Sequence, residues 1–126
     1  MVDIEKQIAY WQRGSQEDWL VAQELVERGR SRHGLFFAHL SLEKALKAHV
    51  CRRTRDLAPR THNLVRLAEL ARLSLSQEQL DVLADVSVFN LEGRYPDSFT
   101  PALNHSEAQA YLARAREVLT WLMHQL

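Results

Sequence analysis

Cysteine is almost missing from this chain. Among 126 residues there is one, Cys51, so no disulfide can form within it. Glycine and proline are scarce as well, at four and three. That argues against a turn-rich all-β fold and against a disordered chain. No apolar run reaches the roughly twenty residues that a membrane-spanning helix needs. The first residues, MVDIEKQ, carry acids and lack the apolar core of a secretion signal. The expectation is a cytoplasmic protein with no membrane contact. Net charge is also absent, because 16 basic side chains balance 16 acidic ones. Balance of that kind weighs against indiscriminate nucleic-acid binding and leaves room for a local basic site.

What is present is helix-forming. Hydrophobic residues make up 46% of the chain, enough for the core of one domain over residues 1–126. The stretch HGLFFAHLSLEKALKAHVCRR, His33 to Arg53, places Leu35, Ala38, Leu42, Ala45, Leu46 and His49 at the spacing of a helix with one buried face. On that wheel Leu40 and Lys44 fall on the opposite side, and Cys51 lies off the core face beside Arg52 and Arg53. Glu43 and Lys47 read as an i, i+4 surface pair. This is the expected central helix of an all-α, antiparallel up-and-down bundle of four to five helices.

A first helix is expected from Ile4 to Arg28, with Asp3 as N-cap and a stripe of Ile4, Ile8, Trp11, Ser15, Trp19, Ala22 and Val26. The stripe keeps phase across Gly14-Ser15, so the helix should continue through them. Asp18, at the edge of the stripe, reads as a boundary carboxylate with a polar partner. Gly29 fits a C-cap position. Two basic clusters flank the central helix: Arg28, Arg30, Arg32 and His33 before it, and Arg52, Arg53, Arg55 and Arg60 after it. They are separated by roughly 30 Å of helix at 1.5 Å per residue. A short third helix should run to Leu73, capped by Thr61 or Asn63. A fourth starts at the Ser76–Gln79 capping box. Its Leu80, Leu83, Ala84, Val86, Val88 and Phe89 cover more than a stripe, which suggests a subunit interface on the second side. Gly93 and Pro96 should stop it. The irregular stretch to His105 precedes a last helix, capped by Ser106 and Gln109, with Ala108, Tyr111, Leu112, Ala115, Val118, Leu119 and Leu122 inward.

The sequence offers little to bind a metal or cofactor, and none is expected. The six histidines include no i, i+4 pair on a helix and no Cys/His cluster. His49, on the core face, reads as a buried, hydrogen-bonded residue. No strained nucleophile turn and no Gly-rich phosphate loop occurs. The remaining candidate is Asn90-x-x-x-Arg94-Tyr95-Pro96-Asp97. Asn90 and Arg94 share a helix face, Arg94 supplies a planar fork for phosphate, and Tyr95 a face for stacking a base or ribose. The competing reading is a corner in which Arg94 pairs with Asp97 and Tyr95 plugs the bundle end. The excess of thirteen Arg over three Lys suits bidentate phosphate or carboxylate contacts. A GC-rich genome would give the same bias.

These pieces together resemble the HEPN domain, a family found in prokaryotes beside minimal nucleotidyltransferases. The matching residues are Trp19 and Ala22 after Asp18, the stretch LSLEKALKAHV, Thr61-His62-Asn63-Leu64 and the Arg94-Tyr95-Pro96-Asp97 corner. The resemblance implies a dimerising helical bundle with a cleft between subunits that binds nucleotide or RNA. It implies a minimal nucleotidyltransferase as partner and antitoxin. Many members are metal-independent ribonuclease toxins that use an Arg and a following His with four to six residues between them, near the start of the last long helix. Here Arg94 matches the arginine, but the next histidine, His105, is eleven positions on. Arg28 with His33 and Arg55 with His62 have suitable spacings in other loops. Three functions remain open: a nucleotide- or RNA-binding companion subunit using Asn90, Arg94, Tyr95 and Asp97; a ribonuclease using Arg94 with His105; and a dimerisation module without ligand.

Overall fold

The structure, a computed structural model, describes residues 2–94 and 103–126, with only the helix path given for 91–94. Among the described residues there are five helices and no strand: α1 (Ile4–Glu27), α2 (Ser31–Thr54), α3 (Leu64–Leu70), α4 (Gln77–Arg94) and α5 (His105–Gln125). The fold is the expected all-α bundle, with α2 packed against all four other helices.

Helix α1 starts where the Asp3 carboxylate accepts the Lys6 amide at 3.2 Å. It runs unbroken through Gly14-Ser15 because Ser15 is fastened to α2. The Ser15 hydroxyl donates to the Ser41 carbonyl at 2.6 Å, and the Ser41 hydroxyl donates to the Ser15 carbonyl at 2.8 Å. Further along, Asp18 pairs with Lys44 at 2.7 Å, the polar partner expected for a boundary carboxylate. The turn into α2 is a Schellman closure, with Gly29 at φ +79°. The Gly29 amide donates to Val26 and the Arg30 amide to Leu25, at 3.0 and 2.8 Å. Gly34 then permits a close approach of α2 to α1. A Cβ there would stand 2.5 Å from Val26 Cγ2 and 3.0 Å from the Ala22 carbonyl oxygen.

The central helix departs from the one-faced wheel. It is buried on nearly every side, because α1, α3, α4 and α5 surround it. Leu42 has no exposure, as expected. Cys51 is also fully buried rather than off the core face, in a cluster with Ile8 and Ala48. Burial pushes its thiol pKa up, and so disfavours the reactive thiolate. Glu43 and Lys47 are an interior pair at 3.1 Å, not a surface one. Lys44 is half-buried against α1 rather than turned to open solvent.

Helix α3 is capped by Asn63, whose side chain accepts the Arg66 amide at 3.0 Å. It ends earlier than expected, at Leu70, because Arg72 takes the left-handed conformation at φ 54°. The Arg72 and Leu73 amides then close back onto Glu69 and Ala68. The Ser76–Gln79 box at the start of α4 forms as expected, with both reciprocal bonds present. Val82, Leu83, Val86 and Phe89 face the core, while Ala84 and Val88 are exposed. The helix continues past Gly93 to Arg94. At α5 the cap is Asn104 with Glu107, two residues before the expected Ser106–Gln109 pair. Asn104 has the extended backbone that lets its side chain accept the Glu107 amide at 2.8 Å, whereas Ser106 is already helical. The inward residues of α5 are as expected, except that Tyr111 is half-buried.

Candidate nucleotide-binding end of the bundle

The chain order α1–α2 and α4–α5 brings four helix ends to one place. The last turns of α1, the first turns of α2, the late part of α4 and the start of α5 share a core cluster of Ala22, Val26, Leu35, Ala38, Phe89, Ala108 and Leu112. Phe89 and Tyr111 meet edge to face, with ring centroids 5.3 Å apart. Asn90 follows Phe89 directly and is half-buried. His105 is exposed in the first turn of α5, held there by the Asn104–Glu107 box. Of the other expected site residues, Arg94 is the last of α4 and its side chain lies outside the described residues, as do Tyr95 and Asp97.

The same end carries the first basic cluster. Arg28, Arg30, Arg32 and His33 are all exposed. A shallow cleft of about 340 Å³ is lined by Gly29, Arg30, Ser31, Arg32, His33 and Leu103. It joins the α1–α2 turn to the residues that lead into α5. His105 lies two positions after Leu103.

From the middle of α2 toward its C-terminus, polar groups are engaged with one another. Glu43 accepts from Lys47 Nζ at 3.1 Å and is bonded to His62 Nδ1 at 3.0 Å. His39 Nδ1 stands 3.8 Å from the same carboxylate, and the Lys47 ammonium lies over the Trp11 ring at 5.1 Å. His49 Nε2 donates to the Leu122 carbonyl at 2.8 Å, as expected of a buried histidine. Its pKa is lowered, first by burial, which disfavours the charged ring, and also by the Arg52 charge. Arg55, which has family-like spacing to His62, is bound to Glu5 at 2.8 Å. Arg55 and His62 therefore hold loops to the bundle. The wheel missed the Glu43 cluster because it assumed a solvent face. The signal was the run His39, Glu43, Lys47 at every fourth position, a polar stripe on a helix buried on nearly every side.

A cleft of about 370 Å³ between α4 and α5 includes Glu78, Glu117, Arg114 and Trp121. Two carboxylates and an arginine already paired with Asp85 at 2.9 Å suit a phosphate poorly. Among the described residues, no group of three His, Cys, Asp or Glu could hold a metal ion, and no helix is long and apolar enough to cross a membrane.

Comparison with known proteins agrees with this architecture. None of the curated proteins matches the chain. Among solved structures, the crystal structure of TT1696 from Thermus thermophilus superposes with a TM-score of 0.80 at 20% identity, over 95% of this chain and 98% of that one. ST0689, described as an archaeal HEPN homologue, gives a TM-score of 0.71 at 19% identity, over 99% of this chain and 98% of its own. At such identities the likeness is one of fold. The model of the HEPN domain matches residues 8–125, nearly the whole sequence. With that match and the five-helix bundle together, the chain belongs to the HEPN domain family.

Proposed function

We propose that this HEPN protein is a homodimer that binds nucleotide or RNA, as the companion subunit of a minimal nucleotidyltransferase in a toxin–antitoxin-like pair. The observation that carries the reading is the convergence of the Asn90 end of α4 with the His105 turn of α5 over the Phe89–Tyr111 contact. The family's arginine is matched by Arg94, one helical turn after Asn90. The exposed Ala84 and Val88 lie on the same helix, and a second copy packed there would set two such ends on either side of a cleft. Arg94 and Asn90 would then hold phosphate, and Tyr95 would stack on a base. Asp97 would orient the arginine fork.

The ribonuclease reading has one observation in its favour. His105 is far from Arg94 in sequence, yet it occupies the start of the last long helix, where the family's histidine belongs. It is exposed there, within reach of a bound ligand. The decisive experiment is incubation of the dimer with RNA and chelator, beside equilibrium binding. Arg94→Ala should abolish binding with helicity and dimerisation unchanged. Arg94→Lys should restore little, since an ammonium lacks the bidentate fork. Metal-free cleavage that disappears in His105→Ala would favour the ribonuclease. A lower melting temperature for Arg94→Ala with unchanged affinity would refute the site.

A further inference from the structure

We infer that the α1–α2 turn, Arg28 to His33, is a phosphate-binding surface that holds single-stranded RNA beside the site at the end of α4. The inference rests on the nucleotide-or-RNA reading above and narrows its ligand to a polynucleotide. Three observations carry it. First, the turn concentrates positive charge in a protein with none overall: Arg28, Arg30 and Arg32 fall within five residues that contain no acid, and all are exposed. Second, no ion pair draws Arg28 or Arg30 inward among the described residues; the same holds for Arg52, Arg53 and Arg60 at the other end of α2, but those line no cleft with the residues leading into α5. Third, the turn is a wall of the cleft completed by Leu103, the approach to the His105 turn. The basic turn thus meets the residues leading into α5, although Arg32 and Leu103 lie far apart in the sequence.

The shape of the cleft selects the ligand. It is shallow and lined by arginines that stand along a turn, so it does not enclose a single nucleotide. Guanidinium groups spaced along a turn suit successive phosphates of a strand, each met by a planar fork. The turn also has little freedom to collapse. The Schellman closure at Gly29 and the approach of Gly34 to Val26 fix its backbone before any ligand arrives. Preorganisation of that kind lowers the ordering cost of binding. The nearest acid in the sequence, Glu27, is the last residue of α1 and directly precedes Arg28, outside the cleft.

The test compares a fluorescein-labelled oligouridylate with uridine monophosphate, on the whole protein. The variant Arg28→Gln/Arg30→Gln/Arg32→Gln keeps much of the side-chain length and the helix propensity. Its oligouridylate affinity should fall by on the order of tenfold or more, with the salt dependence reduced by about 2 in log–log slope, at roughly 0.7 per lost phosphate contact on a single strand. Uridine monophosphate binding should be unchanged. A control with the same charge change at the other end of α2, Arg52→Gln/Arg53→Gln/Arg60→Gln, should leave oligouridylate affinity within twofold of wild type. Equal losses in the two triple variants would reduce the effect to net charge and overturn the proposal. So would oligouridylate binding that survives the first variant and disappears in Arg94→Ala, an outcome that leaves the parent reading standing. Loss in the turn variant with none in Arg94→Ala would support the turn and remove Arg94 from the site. If wild type binds neither probe, both readings fail.

Discussion

The two halves of α2 lead to similar arginine clusters and have opposite characters. Toward the C-terminus, polar groups are consumed internally, Glu43 by Lys47 and His62 and His49 by Leu122, while Arg55 pairs with Glu5 at the surface. At the N-terminal end, Arg28 and Arg30 stand exposed, Arg30 at the wall of an open cleft, and the backbone beneath them is fixed by Gly29 and Gly34. A count of arginines does not distinguish the two. What separates them is the ground they stand on: a buried polar cluster lies along α2 toward one, whereas Arg30 and Arg32 of the other wall a cleft shared with Leu103. One end adjoins a buried polar cluster, and the other is an exposed basic turn beside a cleft.

The largest effect should come from opening the buried cluster. Lys47→Ala leaves the Glu43 carboxylate in the interior with one of its partners removed, and should cost about 3–5 kcal/mol in denaturant unfolding. The paired replacement Glu43→Gln/Lys47→Met should recover much of that, because an apolar or neutral pair carries no buried charge. A loss below about 0.5 kcal/mol for Lys47→Ala would place the pair in solvent and erase the contrast between the ends.

His49 offers a pH test of the same half of α2. Its native pKa lies below the unfolded value of about 6.5. Between those two values the unfolded chain binds more protons, so stability rises with pH across that window. Its contribution is present above about pH 6.5 and is lost as pH falls toward the lowered native pKa. His49→Gln keeps a donor for the Leu122 carbonyl and does not titrate. Its stability should fall less on acidification than that of wild type, as read by melting temperature across roughly pH 5–7. Parallel pH profiles for the two proteins would show that His49 is not buried neutral.

The smallest effect compares exposed arginines. Arg55→Ala breaks an ion pair whose side chains are 57% and 65% exposed, and it should cost within about 0.5 kcal/mol. Arg30→Ala should change stability no more than that, and should weaken oligonucleotide binding where Arg55→Ala does not. If the two variants weaken binding equally, the two ends are not functionally distinct.

Much of the fold was legible in the sequence. The stripe of α1, the inward residues of α5, the Ser76–Gln79 cap and the burial of His49 follow from periodicity and capping chemistry, which act over a few residues and so are written locally. The candidate corner was legible as residue types, Asn90 and Arg94 on one helix face. The errors share a cause. Cys51, Glu43 and Lys44 were given a solvent face because a wheel records one helix and not its neighbours. The Ser106–Gln109 cap had suitable residues, but the backbone turned two positions earlier, at Asn104.

The sequence by itself determined that this is a helical, cysteine-poor chain with balanced charge, because helix propensity, the spacing of apolar residues and charge balance are properties of the chain alone. Only the tertiary structure decided that α2 is enclosed on nearly every side, that Glu43 gathers Lys47 and His62, and that Arg28 to His33 share an end with Asn90 and His105. These are meetings of residues far apart in the chain. They depend on which helices pack together, and packing is settled by burying every apolar face at once.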